Sequence, residues 1–234
     1  MHASVPNRLI AALPTLERRR LLALSELVHL PLEQVLCKPG EITRHVYFPL
    51  DSFISLIAEV DAERGLEVGM AGREGMLGVQ LVLGVPREPL KALVQGEGSA
   101  LRIAAAPFRA EFARSPALQQ RLHKYVSVLM AQSATAAACL RYHAIGPRLA
   151  RWLLMTQDRA GASHFTLTHV FVATMLGVRR VGVTKAAGAL QKLGLIDYHR
   201  GHLTVLDRPG LLAASCSCYA AGERTYAQAL GTRR

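Results

Sequence analysis

The chain has 234 residues, and half of them are hydrophobic, so it can bury one large core or two modest ones. Its formal net charge of +11 favours an anionic partner. No apolar run in the sequence approaches the roughly 18 residues that a membrane helix needs. The arginines near the amino terminus follow a short apolar stretch, which is the reverse of a secretory signal, and the four cysteines form no disulfide pattern. We therefore expect a cytoplasmic protein.

Positive charge is concentrated in the last part of the chain. Residues 146–234 hold 12 lysines and arginines against 4 acidic residues, whereas residues 1–145 hold 16 against 13. A basic solvated surface is one explanation of this bias. Its confinement to one part of the chain favours nucleic-acid binding there.

The first 115 residues predict a helix followed by a β domain. Residues 9–36 have an amphipathic helical pattern, and from Cys37 the character changes to short β-rich segments. These segments are HVYFPL, SFISLIAEV, LEVGMAG, LKALVQG and SALRI, and turn residues separate them. Short strands at this spacing are typical of a sandwich or barrel and not of alternating β/α units. We therefore predict that residues 1–115 form a sandwich or barrel domain preceded by a helix.

A long helix is predicted over residues 116–145, because this stretch is rich in alanine, leucine and glutamine and has no glycine or proline after Pro116. Apolar and small side chains recur in it with alternating spacings of four and three. They are Leu122, Val126, Leu129, Ser133, Ala136, Leu140 and His143. Such a heptad seam favours a dimer joined along this helix. The alternative is a helix that packs on its own domain.

Residues 146–234 predict a third part made of helices and a small sheet. Gly146-Pro147 is expected to end the long helix and mark the boundary, and RLARWLLMTQDRAG then forms a further helix. Thr168 is a suitable N-cap for the short helix HVFVATML. Gly177 supplies a tight turn before a second helix that begins near Arg179.

The second of these helices has an apolar side and a basic side. Its inward-pointing residues are expected to be Val183, Ala187, Leu190 and Leu193, and Gly194 ends the helix. Arg180, Thr184 and Lys185 lie elsewhere on it. LIDYHRGHLTVLD predicts two short strands, a wing, and a helical tail starts near Pro209. The sequence therefore predicts an α+β chain that ends in a winged helix-turn-helix, a fold that places its second helix in the DNA major groove.

This order of parts resembles the Crp/Fnr superfamily of bacterial transcription regulators over nearly the whole chain. The most specific segment is LTHVFVATMLGVRRVGVTKAAGALQKLGLIDYHRGHLTVLDRPGL. RHVYFP, GREGMLG and RLARWLL are similar to a common proteobacterial branch. The resemblance implies a jelly-roll-like β-roll sensor domain at the amino terminus. It also implies a homodimer that binds a palindromic operator in double-stranded DNA, with RNA polymerase as a further partner.

Carried over by position, the resemblance implies that Arg180 reads guanine and that Lys185 is a second base-reading residue. Val181 stands where many relatives have a glutamate. It cannot accept a hydrogen bond from cytosine, although it can contact a thymine methyl group, so the operator should differ from the best-known one of the family. Contacts to phosphates, which set register without reading sequence, are expected from Thr168, Arg179, Thr184 and Arg200.

The family's β domain often binds a cyclic nucleotide through a Gly-Glu segment and a later Arg-Ser or Arg-Thr pair. Here Glu74 and Gly75 approximate the first part. The later region offers only Arg87 and Lys91, so the pair is missing and we do not expect tight cyclic AMP binding. Ser133 falls near the position where relatives contact the base of the cyclic nucleotide.

Other cofactors of the family also lack support in the sequence. We expect no iron–sulfur cluster, since the amino terminus lacks a cysteine cluster, and no spacing identifies haem ligands. The sequence therefore identifies no effector, and a regulator that works without one remains an alternative.

A second function class rests on the cysteines. Cys139 and His143 are four residues apart and share a helix face, and Cys216 and Cys218 lie in SCSCY. A metal- or thiol-sensing regulator is therefore the alternative function. The spacing is no standard zinc pattern, and nothing in the sequence brings the tail to the long helix, so packed side chains are the favoured interpretation. The motifs GxxxxGK[ST], GxSxG and HExxH are missing, and we do not expect an enzyme.

Overall fold

A computed structural model describes residues 7–61 and 64–231. The helices are α1 (Arg8–Ala11), α2 (Thr15–Ala23), α3 (Ala105–Arg114), α4 (Pro116–Tyr142), α5 (Ile145–Ala160), α6 (His169–Leu176), α7 (Arg180–Lys192), α8 (Arg208–Ala214) and α9 (Cys218–Leu230). The strands are β1 (Glu26–Leu30), β2 (Val35–Cys37), β3 (His45–Pro49), β4 (Phe53–Asp61), β5 (Arg64–Ala71), β6 (Lys91–Gly96), β7 (Gly98–Ala104), β8 (His164–Thr166), β9 (Ile196–His199) and β10 (His202–Val205). The predicted β domain, long helix and winged helix-turn-helix are confirmed.

The chain forms two compact units. The first contains the described residues up to Ile57, then Gly69–Met130, and the described residues from Tyr226 onward. The second contains the described residues of Ala58–Val68 and all of Ala131–Thr225. The end of β4 and the start of β5 therefore belong to the same unit as the helix-turn-helix, although these strands are far from α6 and α7 in sequence.

The first unit is built on two antiparallel sheets with the strand orders β1-β7-β3 and β2-β6-β4-β5. Phe48 of β3 and Phe108 of α3 are wholly buried and lie 6.3 Å apart between ring centroids. Leu122 and Tyr125 of α4 join the same apolar cluster, as does Tyr226 of α9. Burial of this apolar surface is what holds the helices on the sheet.

The expectation of a helix over residues 9–36 is wrong. The structure has two short helices there, α1 and α2, and then β1 and β2. Pro14 precedes α2 and Pro31 follows β1, so proline interrupts the stretch twice. Between them, β1 pairs residue by residue with β7, from Glu26 opposite Arg102 to Leu30 opposite Gly98. Strand pairing at a distance has overridden the local helical pattern.

The long helix is confirmed, but its end lies elsewhere than predicted. α4 ends at Tyr142, and α5 begins at Ile145 with Ala144 as its N-cap. Gly146 and Pro147 therefore lie inside the first turn of α5 and not at the break. Proline is tolerated there because its missing N–H has no partner to lose in a first turn.

The predicted heptad seam divides into two parts. Leu122 is wholly buried in the core of the first unit, and Val126 and Leu129 pack against that core. The packed-helix alternative therefore holds at Leu122, whereas the β domain covers Val126 and Leu129 only in part. Further along α4, Ser133 and Leu140 are exposed.

The helices of the second unit pack around α5. Leu149, Trp152 and Leu153 of α5 are all at most 2% exposed. The indole Nε1 of Trp152 donates to Glu67 Oε1 of β5 at 2.9 Å. A Cβ added at Gly177 would lie 2.7 Å from Leu66 Cδ1, also in β5. β5 thus packs against both α5 and the helix-turn-helix.

Two glycines inside α7 should respond differently to alanine. A Cβ at Gly188 meets nothing within 4 Å, whereas one at Gly182 would lie 2.7 Å from Ile145 Cδ1. Since alanine favours an interior helical position over glycine, Gly188→Ala should raise the free energy of unfolding by about 0.5–1 kcal/mol. Urea denaturation measures this. Gly182→Ala is the matched control and should gain less, because Ile145 must move; equal gains would contradict the contact.

Candidate nucleic-acid interface

The α6–α7 pair is joined by a tight turn. Thr168 is the N-cap of α6, and its hydroxyl accepts from Phe171 N at 3.1 Å. Gly177 ends α6 with φ 62°, in the left-handed region that favours glycine. The buried Arg148 of α5 donates to the carbonyl of Leu176, the last residue of α6. The predicted N-cap and turn residues are thus confirmed.

The buried side of α7 consists of Val183, Ala186, Ala187 and Leu190. The expectation that Leu193 also points inward is wrong, since its side chain is 69% exposed. α7 ends at Lys192, and Gly194 turns the chain with φ 69°. The chain therefore leaves the helical path before another turn forms, and Leu195 is buried in its place.

The opposite side of α7 is exposed and basic. Arg179, Arg180, Thr184 and Lys185 are exposed, and Val181 is 58% exposed. No acidic residue occurs within α7. The N-cap residue Arg179 has no hydrogen-bond acceptor in its side chain, so no side chain caps the first-turn N–H groups of α7. Such N–H groups and the helix dipole favour anions at this end.

A small network orients the start of α7. The Thr184 hydroxyl lies 3.2 Å from the Arg180 carbonyl and 3.1 Å from His169 Nδ1. The His169 ring meets Tyr198 edge to face at 4.6 Å between centroids, and the Tyr198 hydroxyl donates to the Leu167 carbonyl. Burial, and secondly the charge of Arg180, lower the pKa of His169. The imidazole is therefore neutral at pH 7.

The wing is a β-hairpin with a two-residue turn. β9 and β10 pair in register, His199 opposite His202, and Arg200 and Gly201 form the turn with φ 49° and 85°. Positive φ at both positions matches the hairpin turn whose twist fits the flanking strands. Arg200 is exposed at the tip. β8, a strand that was not predicted from the sequence, adds a third strand against β10.

The residues expected to contact an effector are Glu74, Gly75, Arg87, Lys91 and Ser133, and they lie in different parts of the structure. The carbonyl of Glu74 accepts from the Tyr226 hydroxyl at 2.9 Å, and a Cβ at Gly75 would lie 2.2 Å from the Tyr125 hydroxyl. Arg87 donates to a backbone carbonyl on its own unit, and Lys91 lies on β6. Ser133 belongs to the second unit. Their role in effector binding remains a prediction.

The first unit also has a cavity of about 480 Å³. Its lining residues are Leu36, Cys37, Glu41, Ile42, Thr43, Arg44, His45, Tyr47, Leu77 and Glu88. None of the residues expected to bind an effector is among them. Any ligand of this cavity would therefore be recognised by a different set of side chains.

The four residues of the alternative function do come together. Cys139, His143, Cys216 and Cys218 each contribute an atom to one cluster, and these atoms all lie within 4.8 Å of one another. Burial raises the pKa of the Cys139 thiol to about 12, against a smaller opposing effect of Arg151. The juxtaposition arises in the tertiary structure and has no signal in the spacing.

The exposed basic helix, its buried apolar side and the wing define a DNA-binding winged helix-turn-helix protein. Residues 147–214 match the family model of the Crp-like helix-turn-helix domain. No curated protein matches the chain in sequence. No helix among the described residues is both long and apolar enough to cross a membrane.

Solved structures show the same fold over most of the chain. The c-di-GMP responsive global regulator CLP of Xanthomonas campestris is 18% identical with a TM-score of 0.67, over 82% of this chain and 99% of that one. A putative Crp/Fnr regulator of Eubacterium rectale is 15% identical with a TM-score of 0.67, over 88% and 96%. FixK2 of Bradyrhizobium japonicum is 13% identical with a TM-score of 0.66, over 82% and 98%. Residues 147–214 thus form a Crp-like helix-turn-helix domain, and the fold over most of the chain is similar to that of solved Crp/Fnr regulators.

Proposed function

We propose that the protein works as a homodimer that reads a two-fold symmetric operator through α7. The observation that carries this proposal is the exposed basic side of α7, which lacks any acidic residue while its other side is buried. A carboxylate here would repel the phosphates, and its absence leaves the helix free to approach DNA.

Each exposed residue of the interface has a proposed role. Arg180 donates to O6 and N7 of a guanine, Lys185 contacts a second base, and Val181 meets a thymine methyl group. Arg180 and Val181 lie in the first turn of α7, the end of a recognition helix that usually meets base edges. These are the contacts that would select a sequence.

The phosphate contacts are assigned to residues around this helix. They are Thr168, Arg179, Thr184 and Arg200, and all four are exposed. Arg200 at the tip of the wing is set apart from α7 along the chain, so the two sets of contacts can hold the domain in one register. Thr184 already bonds within the domain, so a phosphate would have to join or replace that contact.

The proposed dimer is joined along α4. Met130 is 69% exposed and Leu140 38% exposed, and both are apolar side chains that a second copy of the helix would cover. A shift in the connection between α4 and α5 would then change the spacing of the two α7 helices. We propose RNA polymerase as a further partner and the cytoplasm as the location of the protein. We propose no effector.

The experiment that tests this function is selection of genomic DNA fragments by the purified full-length protein at moderate salt. We expect enrichment of a two-fold symmetric sequence whose half-site centres are about 34 Å apart, one helical turn. Enrichment of a single, unpaired half-site would contradict the dimer. If all fragments bind equally, with and without added candidate ligands, sequence-specific reading is contradicted.

A further inference from the structure

The end of the long helix and the start of the tail bring four potential metal ligands together. Cys139 and His143 lie four residues apart at the carboxyl end of α4, and so face the same way. Cys216 lies between α8 and α9, and Cys218 is the first residue of α9. All four belong to the second unit.

Two distances within the cluster match edges of a zinc tetrahedron. With zinc–sulfur bonds of about 2.3 Å and zinc–nitrogen bonds of about 2.05 Å, two sulfurs should be about 3.8 Å apart, and a sulfur and a nitrogen about 3.5 Å. Here Cys139 Sγ lies 3.6 Å from Cys216 Sγ, and Cys218 Sγ lies 3.5 Å from His143 Nδ1. The remaining pairs lie within 4.8 Å, so the four atoms are close enough to share one ion.

The ligand set is complete and partly accessible. Three sulfurs and one imidazole nitrogen form the Cys₃His set that is typical of structural zinc sites, with no position left for a substrate. Cys139 and Cys216 are buried, whereas His143 is half-buried, so an ion can enter from the side of His143. A disulfide between Cys139 and Cys216 is the alternative use of this cluster, but it would not involve His143 or Cys218.

The surroundings suit a negatively charged centre. Zinc binding to three thiols releases three protons and leaves three thiolates, so the Zn²⁺ complex has a net charge of −1. Arg148 and Arg151 of α5 both interact electrostatically with Cys139. The Nε of Arg151 is buried without a hydrogen-bond partner among the described residues. Two arginines beside the cluster therefore offset the charge.

We propose that Cys139, His143, Cys216 and Cys218 bind one zinc ion, which fastens the last turn of α4 to the α8–α9 connection. Within the same unit, Cys216 N donates to the carbonyl of Pro147 at 3.3 Å, so this connection already contacts the first turn of α5. The ion would add a cross-link where α4 ends and α5 begins. This is a structural centre, and it is independent of the DNA contacts of α7.

The test is elemental analysis of the untagged full-length protein, together with cobalt substitution. We expect about one zinc ion per chain. Protein stripped by a chelator and refilled with Co²⁺ should show the strong visible absorption of a tetrahedral ion and a thiolate charge-transfer band. Cys218→Ser and His143→Ala should each lower the retained zinc at least tenfold after dialysis. Cys37→Ser is the matched control, since Cys37 belongs to the other unit, and should keep the metal.

Three outcomes would overturn the proposal. One is wild-type protein that holds no stoichiometric metal and gives no tetrahedral cobalt spectrum. Another is a Cys139–Cys216 disulfide in protein purified with zinc present, which would make the cluster a thiol switch. The last is equal zinc loss in Cys37→Ser and Cys218→Ser. Because the wild-type measurements need no substitution, a variant that fails to fold does not weaken the test.

Discussion

A protein in which Arg180 and Lys185 are both alanine is expected to keep its fold and lose its preference for the selected operator. Both side chains are exposed on α7, so their removal opens no cavity. A bidentate arginine–guanine contact contributes about 1–3 kcal/mol of discrimination, which is about 5- to 150-fold at each half-site. Fluorescence anisotropy with operator and scrambled duplexes at one fixed salt concentration measures the loss.

Arg200→Ala is the matched control for this prediction, because Arg200 is exposed on the wing and assigned to a phosphate. It should weaken binding to operator and scrambled DNA by the same factor and reduce the salt slope by about 1 for each phosphate that the variant no longer neutralises. If the Arg180/Lys185 variant behaves in this way too, α7 makes only phosphate contacts, and the base-reading roles are wrong.

Leu190→Ala is expected to lower the free energy of unfolding by about 2–5 kcal/mol, since it empties a buried position under α7. Leu193→Ala should change it by less than about 0.5 kcal/mol. Leu190 is 5% exposed and Leu193 69% exposed, although the sequence pattern puts both on one face. The two substitutions remove the same atoms, so their difference reports burial alone.

Urea denaturation of the two variants beside the wild type measures this difference. Loss of operator binding by Leu190→Ala should follow the unfolded fraction, whereas Leu193→Ala should bind as the wild type does. Comparable destabilisation by both substitutions would contradict the exposure of Leu193 in the folded protein.

Much of the DNA-binding domain was predictable because its signals are local. Glycine at a left-handed turn, threonine at an N-cap and the spacing of apolar residues each depend on a few neighbouring residues. These signals predicted α6, α7 and the wing, and the resemblance to Crp/Fnr regulators is confirmed by the matching domain and fold. The prediction that Leu193 is buried was wrong, because a repeat of apolar residues does not show where the helix ends.

The amino-terminal stretch shows the opposite case. Residues 26–30 pair with β7, which lies about 70 residues further along the chain, and this pairing decided the strand. Gly75 also depends on a distant residue, because Tyr125 of α4 occupies the space that a side chain at position 75 would need. A pattern read along one segment cannot include a partner that the segment meets only after folding.

The sequence by itself determined the class of the protein, the basic helix and the wing, because helix and turn preferences act over a few residues. Only the tertiary structure decided that α4 is partly covered by its own β domain and that two distant cysteine segments lie side by side. Cys139 and Cys216 are 77 positions apart, yet their sulfurs lie 3.6 Å from each other. Contacts of this kind follow from the packing of α4, α5 and the α8–α9 connection together, and no spacing within one segment encodes them.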